Sequence, residues 1–153
     1  MPGTFSQIYI QIIFAVKGRG SLIYSDWEER LYQYITGIVR GKEQKMIAIN
    51  GMPDHIHIFI GMKPSCCLSD LVREIKKASN EFINENKLSN FRFSWQEGYG
   101  AFSYSHSQID NVVKYVMNQK QHHRKVSFRE EYVDFLKKFE IEHDDKFLFE
   151  WVK

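Results

Sequence analysis

The stretch Lys45-Met46-Ile47-Ala48-Ile49-Asn50-Gly51-Met52-Pro53-Asp54-His55-Ile56-His57-Ile58-Phe59-Ile60-Gly61-Met62 decides how this chain folds. Its two apolar runs, Lys45–Ile49 and His55–Met62, read as strands. The turn-forming residues Asn50 to Asp54 between them predict a hairpin with a longer loop. In the second run Ile56, Ile58 and Ile60 alternate with His55 and His57. Side chains two apart on a strand share a face, so the isoleucines enter a core while two imidazoles stand side by side on the other surface.

Upstream, Ile8, Ile10, Ile12, Phe14 and Val16 alternate with Gln7, Tyr9 and Gln11, which predicts a strand from about Phe5 to Val16. Ser25 and Glu28 have capping-box spacing, so a helix is expected from there to Gly41, its apolar stripe Trp27, Leu31, Tyr34, Ile35 and Ile38. Downstream, a helix over Ser69–Asn86 would bury Leu71, Val72, Ile75, Ala78 and Phe82 and turn Arg73, Lys76 and Lys77 toward water. A fourth strand is expected within Phe91–Tyr104, with Gly98 and Gly100 marking a bend. A third helix begins after Ser105 or Ser107 and runs to about Gln121. A last one starts at Ser127 with Glu130 in the capping position, and its Phe128, Tyr132, Phe135, Leu136 and Phe139 need cover from the body or from a second chain. The order β-α-β-β-α-β is the split βαβ, or ferredoxin-like, pattern: an α+β fold with two helices on one face of an antiparallel sheet, the other face free for a site. The 153 residues read as a single domain, a core over about 1–125 and a helical tail over about 126–153.

Composition narrows the function classes. With 43% hydrophobic and 15% aromatic residues the chain folds rather than staying disordered. It has neither a membrane-length apolar stretch nor a signal-peptide pattern, so a cytoplasmic address is expected. The only cysteines, Cys66 and Cys67, are adjacent, which fits neither a disulfide framework nor a zinc spacing. The net charge of +2 divides into +5 over residues 1–125 and −3 over 126–153, compatible with phosphate binding.

The histidine pair can chelate a divalent metal, although six histidines in 153 residues produce an H-x-H by chance often enough that the pair alone decides nothing. Tyr115 and Gln119 lie four apart on the third helix, on the flank of the stripe Ile109, Val112, Val113 and Val116. A tyrosine hydroxyl is a poor nucleophile at its usual pKa near ~10, and the histidines could supply the metal it would need. His122-His123 at the end of this helix suit either favourable charge at a C-terminus or phosphate contact. Arg73, Lys76, Lys77 and Lys87 are candidate backbone contacts, equally readable as a solvated helix face, and Tyr9, Tyr99, Phe102 and Tyr104 are candidate stacking platforms, although strand aromatics are more often packing.

Gly51–Ile58, Trp95–Ser103 (WQEGYGAFS) and Tyr115–His123 (YVMNQKQHH) together resemble the single-tyrosine HUH transposases of small bacterial insertion sequences, the IS200-like transposases. The N-terminal strand and a tail with Phe128, Glu131 and Asp144-Asp145-Lys146 extend the resemblance over nearly the whole chain. The resemblance implies that His55 and His57 hold Mg²⁺ or Mn²⁺, that Gln119 completes the metal shell and that Tyr115 is the nucleophile. It further implies cleavage and rejoining of single-stranded DNA through a 5′-phosphotyrosine link, recognition of hairpins at element ends, and a homodimer whose tyrosine helix can dock on the partner so that each site is shared. A related nickase, an inactive nucleic-acid-binding regulator and a water-using metal phosphohydrolase are the alternatives.

Overall fold

The computed structural model describes residues 3–152. Its sheet has four strands: β1 (Tyr9–Ala15), β2 (Lys45–Met52), β3 (His55–Gly61) and β4 (Gly100–Tyr104). They are ordered β2-β3-β1-β4, every neighbour antiparallel. Helix α1 (Glu28–Gly41) joins β1 to β2, and α2 (Leu68–Glu85) joins β3 to β4. This is the expected ferredoxin-like α+β arrangement, with β1 and β3 in the middle.

Register sorts the side chains. Ile10, Ile12 and Phe14 of β1 lie opposite Ile60, Ile58 and Ile56 of β3 and meet the helices α1 and α2. Gln11, Ile13 and Ala15 lie opposite Phe59, His57 and His55 on the other face. That second face is not free. Beyond β4 the chain folds back across it as α3 (Ile109–Met117), α4 (Gln119–His122) and α5 (Phe128–Lys138). Val112 and Val116 of α3 bury Phe59 and Ala48, and Phe135 and Phe139 of α5 lie against Phe102 of β4 with ring centroids 5.0 and 4.9 Å apart. The expected open face is covered because the aromatic tail needs an apolar seat, and the body supplies it.

Several local expectations shift. The first strand is shorter than Phe5–Val16, and β2 continues through Asn50 and Gly51 to Met52, so the turn contracts to Pro53-Asp54. The Ser25 capping box does not form: Trp27 takes the N-cap position of α1 without a side-chain hydrogen bond, and the buried stripe is Leu31, Tyr32, Ile35 and Val39, while Tyr34 stacks outside on Phe82. On α2, Ser79 and Ile83 take the buried places expected for Ala78 and Phe82. Residues 91–99 contribute only the Trp95–Val16 bridge to the sheet. They dock on α2, where Asn84 brackets the backbone of Phe93 through both its amide atoms and the Trp95 indole donates to Ser79 Oγ. Lys76 is half-buried rather than turned freely toward water. Its Nζ donates to the carbonyls of Gln96 (2.8 Å) and Gly98 (2.6 Å), and burial lowers its pKa to about 8. Phe102, fully buried, is a core residue and no stacking platform.

Gly51 is required by close approach, because a Cβ there would lie 2.4 Å from the carbonyl oxygen of His55 and 3.0 Å from Cα of Ile56. Gly51→Ala should destabilise the protein by about 2 kcal/mol through overpacking against backbone. Gly61→Ala, whose Cβ meets Lys45 at an ordinary 3.5 Å, should be close to neutral. Urea midpoints of the two variants decide this; equal midpoints would refute the assigned β2–β3 register.

Candidate functional site

β3 sets His55 and His57 two residues apart, both completely buried beneath α3–α5, with ring centroids 5.1 Å apart. Asp54, the last turn residue, approaches His55 Nδ1 at 2.7 Å. An Nδ1–H donated to that carboxylate leaves Nε2 as the free ring atom pointing at the tail. His57 Nδ1 meets the Gln11 amide nitrogen at 2.8 Å, and the Tyr104 hydroxyl donates to Gln11 Oε1 at 2.8 Å. The polar alternation read in β1 therefore continues into the protein interior as the support of His57.

The tyrosine helix is interrupted. α3 ends at Met117 and α4 begins at Gln119, where a continuous helix to Gln121 was expected. Asn50 on β2 donates to the carbonyls of Val116 (3.1 Å) and Met117 (3.2 Å), satisfying the loose end. Lys120 then ties α4 to the hairpin through the Gly51 carbonyl and to Glu28 of α1, both at 3.0 Å. Gln119, fully buried, aims Oε1 at His55 Nε2 (3.2 Å) and donates Nε2–H to Glu131 Oε2 (3.1 Å), which fixes its amide orientation. Tyr115 stands half-buried beside His57, ring centroids 5.9 Å apart, and its hydroxyl donates to Glu131 Oε2 with His122 Nε2 at 3.3 Å. All four residues singled out from the sequence thus converge within the one chain.

Glu131 is the residue to which sequence reasoning assigned no role. It lies on α5, whose start is the expected Ser127–Glu130 capping box. Its buried Oε1 is 3.2 Å from His55 Nε2, 3.1 Å from His57 Nε2 and 3.1 Å from His123 Nε2. The available signal was a carboxylate inside the stripe Phe128, Tyr132, Phe135 and Leu136, at the i+3 and i−4 positions of two phenylalanines. Phe128 lies flat on His55 with centroids 3.8 Å apart and planes 4° from parallel.

The electrostatics follow from this crowding. Burial disfavours charge on Glu131, but the hydrogen bonds from His123, His55 and His57 outweigh it and hold the carboxyl far below its ordinary pKa. Burial lowers His57 to about 4, so its imidazole is neutral at pH 7. Burial also works against a charged His55, yet Asp54 and Glu131 prevail and raise it. Tyr115 is raised by burial and by the adjacent Glu131 charge. Such a hydroxyl is not ionised on its own and needs positive charge beside it to attack. Imidazole, carboxylate and amide oxygen in one small volume are a donor set that suits a divalent cation, and His55, His57 and Glu131 have their ligand atoms within 4.8 Å of one another.

Other candidates separate. Arg73 and Lys77 are exposed on α2, Arg73 paired with Asp70, and Lys87 is exposed beyond the helix end. No described helix is long and apolar enough to cross a membrane.

The family model described as IS200-like transposase matches residues 4–119. ISDra2 transposase TnpA of Deinococcus radiodurans is 23% identical over 122 residues, 76% of this chain and 87% of that protein. A crystal structure from Deinococcus radiodurans R1, assigned as a transposase, superposes with a TM-score of 0.61 at 20% identity, covering 78% of this chain and 95% of that one. A REP-associated tyrosine transposase bound to a REP hairpin gives 0.60 at 18% identity, covering 82% and 74%.

Because the tail is seated on the histidine face, Phe128→Ala should cost about 3 kcal/mol by opening a cavity between His55, Tyr132 and Phe149. Phe147→Ala, at 79% exposure, should change stability by less than about 0.5 kcal/mol. Thermal and urea unfolding of the two variants provide the test, and equal losses would contradict the docking.

Proposed function

The chain belongs to the IS200-like transposase family, and from that premise we propose that it cleaves and rejoins single-stranded DNA with Tyr115 as nucleophile. The observation that carries the reading is the convergence of Tyr115, His55, His57 and Gln119 from β3, α3 and α4 on one buried point. A divalent metal, Mg²⁺ or Mn²⁺, held by His55, His57 and Gln119 would supply positive charge beside the oxygens of the phosphoryl group under attack. The Tyr115 oxygen forms the bond to phosphorus as the bond to the 3′ oxygen breaks, leaving a 5′-phosphotyrosine and a 3′-hydroxyl. The Tyr115 hydroxyl is held at rest by the Glu131 carboxylate to which it donates, and the proton it gives up on attack is balanced by the one that the departing 3′ oxygen takes up. The phosphodiester energy stays in the tyrosyl linkage, so rejoining needs no nucleotide hydrolysis.

The relative bound to a REP hairpin supports a DNA hairpin as the recognised element. Because one chain assembles the whole set, Tyr115 is proposed to act in cis. The homodimer that the resemblance implies would then bring two complete sites together rather than build each from two chains.

Incubation with labelled single-stranded DNA carrying the hairpins that flank its gene, with Mn²⁺, should yield a covalent adduct on a denaturing gel. Tyr115→Phe should reduce the adduct to background while leaving the fold and DNA retention intact. Cleavage without an adduct would favour water as nucleophile, and binding without cleavage a regulator. Mixing Tyr115→Phe with His57→Ala chains tests the cis arrangement: no adduct should return, whereas sharing between subunits would restore part of it.

A further inference from the structure

We infer that Glu131 and His123, which lie beyond the residues matched by the family model, are ligands of the same divalent ion as His55 and His57. The inference rests on the metal-site reading above and extends its ligand set to three imidazoles and a carboxylate, with Gln119 at the margin.

The argument is one of donors and lone pairs. His123, 5% exposed, has Nδ1 2.6 Å from the Val126 carbonyl, which can only accept, so that nitrogen carries the hydrogen. His55 likewise commits Nδ1–H to Asp54. In its neutral form each ring presents an Nε2 lone pair, and both point at Glu131 Oε1, an atom that has only lone pairs to offer. His55 Nε2 faces a second acceptor as well, Gln119 Oε1. Lone pairs converging in a dry space are what a cation resolves. Protons would fill the gap only by burying two imidazolium rings beside the third histidine. His57 joins without rearranging the fold: turning its Gln11 amide over would let Oε1 accept from Nδ1–H and free Nε2, and the Tyr104 hydroxyl on the far side can accept as readily as it donates.

The spacings agree. The three Nε2 atoms lie 3.1 to 3.2 Å from Oε1. Two ligands of one ion with bonds near ~2.1 Å are roughly 3 to 3.5 Å apart. Each first ring is also held from behind, His55 by a carboxylate and His123 by a backbone carbonyl, the support that ligating histidines require. Three imidazoles weight the set toward a first-row transition ion over Mg²⁺. Glu131 divides its two oxygens, Oε1 toward the histidines and Oε2 toward Tyr115 and Gln119, so the carboxylate would couple the ion to the nucleophile.

The test is Mn²⁺ binding to the metal-stripped full chain, read by electron paramagnetic resonance without DNA. Pulsed measurements should count three imidazole nitrogens on bound Mn²⁺ in the wild type and two in His123→Gln. Glu131→Gln should weaken Mn²⁺ affinity at least about 10-fold. A wild-type count of two, or a count unchanged by His123→Gln, overturns the inference. So does a Glu131→Gln protein that binds Mn²⁺ as tightly as, or more tightly than, the wild type, since Glu131 would then merely fill the site. His57→Gln separates the two levels. If it abolishes binding while the other two variants do nothing, only the extended ligand set fails. If it too leaves Mn²⁺ affinity unchanged, the metal site itself is refuted. The wild-type count stands even if Glu131→Gln does not fold.

Discussion

The second half of this molecule is organised around one buried carboxylate. Glu131 is 3% exposed, and an ionised group so far from water is tolerable only when every lone pair has a partner. No single element could supply those partners. His55 and His57 come from β3, Tyr115 from α3, Gln119 from α4 and His123 from the turn that follows it. Satisfying Glu131 therefore fixes α5 over the sheet and α3–α4 beside it at once. Removing the carboxylate would strand several polar groups in a dry space, while removing one histidine would leave the charge under-compensated, so the cluster is demanding from both sides. Such a network specifies an arrangement more than it adds stability, and the aromatic ring set around it (Phe128, Tyr132, Phe135) provides the burial that holds the tail down.

The sheet can hold this cluster because its central strands are written for two dry faces of different chemistry. On the α1–α2 side β1 and β3 offer only aliphatic and aromatic groups, and the register locks Ile12 on Ile58 and Phe14 on Ile56. On the other side the same strands carry Gln11, His55 and His57, all completely buried and all hydrogen-bonded. A slip of one residue in β3 would send the imidazoles into the aliphatic core, so the isoleucine run protects the register on which the site depends. Gly100 serves the same end on β4: a Cβ there would come 2.7 Å from the Tyr132 hydroxyl, and its absence lets α5 settle onto the strand.

Much of this was legible from local spacing. Period-two alternation named β1 and β3 and put both histidines on one face, and the four-residue interval put Tyr115 and Gln119 on one side of a helix. Where the reading failed, tertiary partners had overridden a local rule. Lys76 looked solvated by helical position, but its neighbours are carbonyls from the loop after α2, which no helix periodicity reports. The α3–α4 break is invisible in propensity because the group that satisfies its loose carbonyls is Asn50, 66 positions away from Val116 along the chain. The second sheet face looked open because the pattern β-α-β-β-α-β ends at β4 and says nothing about where an added tail will lie. Glu131 stood out only as a charge in an aromatic stripe, and its meaning needed the three histidines that the fold brings to it.

The burial of the site constrains how a phosphodiester could reach it. The histidine Nε2 atoms lie against Glu131, with Phe128 stacked on His55 and Tyr115 of α3 edge-on to His57. Tyr115 is different: it is half-buried and borders a cleft of about 730 Å³, walled by Gln11, Tyr104, Asn111 and Phe135. On the proposed reading the scissile phosphate would enter through that cleft and meet the tyrosine oxygen before it meets the ligand atoms. Attack then requires the hydroxyl to leave Glu131 Oε2 and turn toward phosphorus, while Oε1 keeps its histidines. The carboxylate allows this because its two oxygens serve different partners. A single-oxygen acceptor at the same position would have to give up the histidines to release the tyrosine. The chemistry of residue 131, rather than its charge alone, is what would let nucleophile and metal ligands be held together at rest and separated in the reaction.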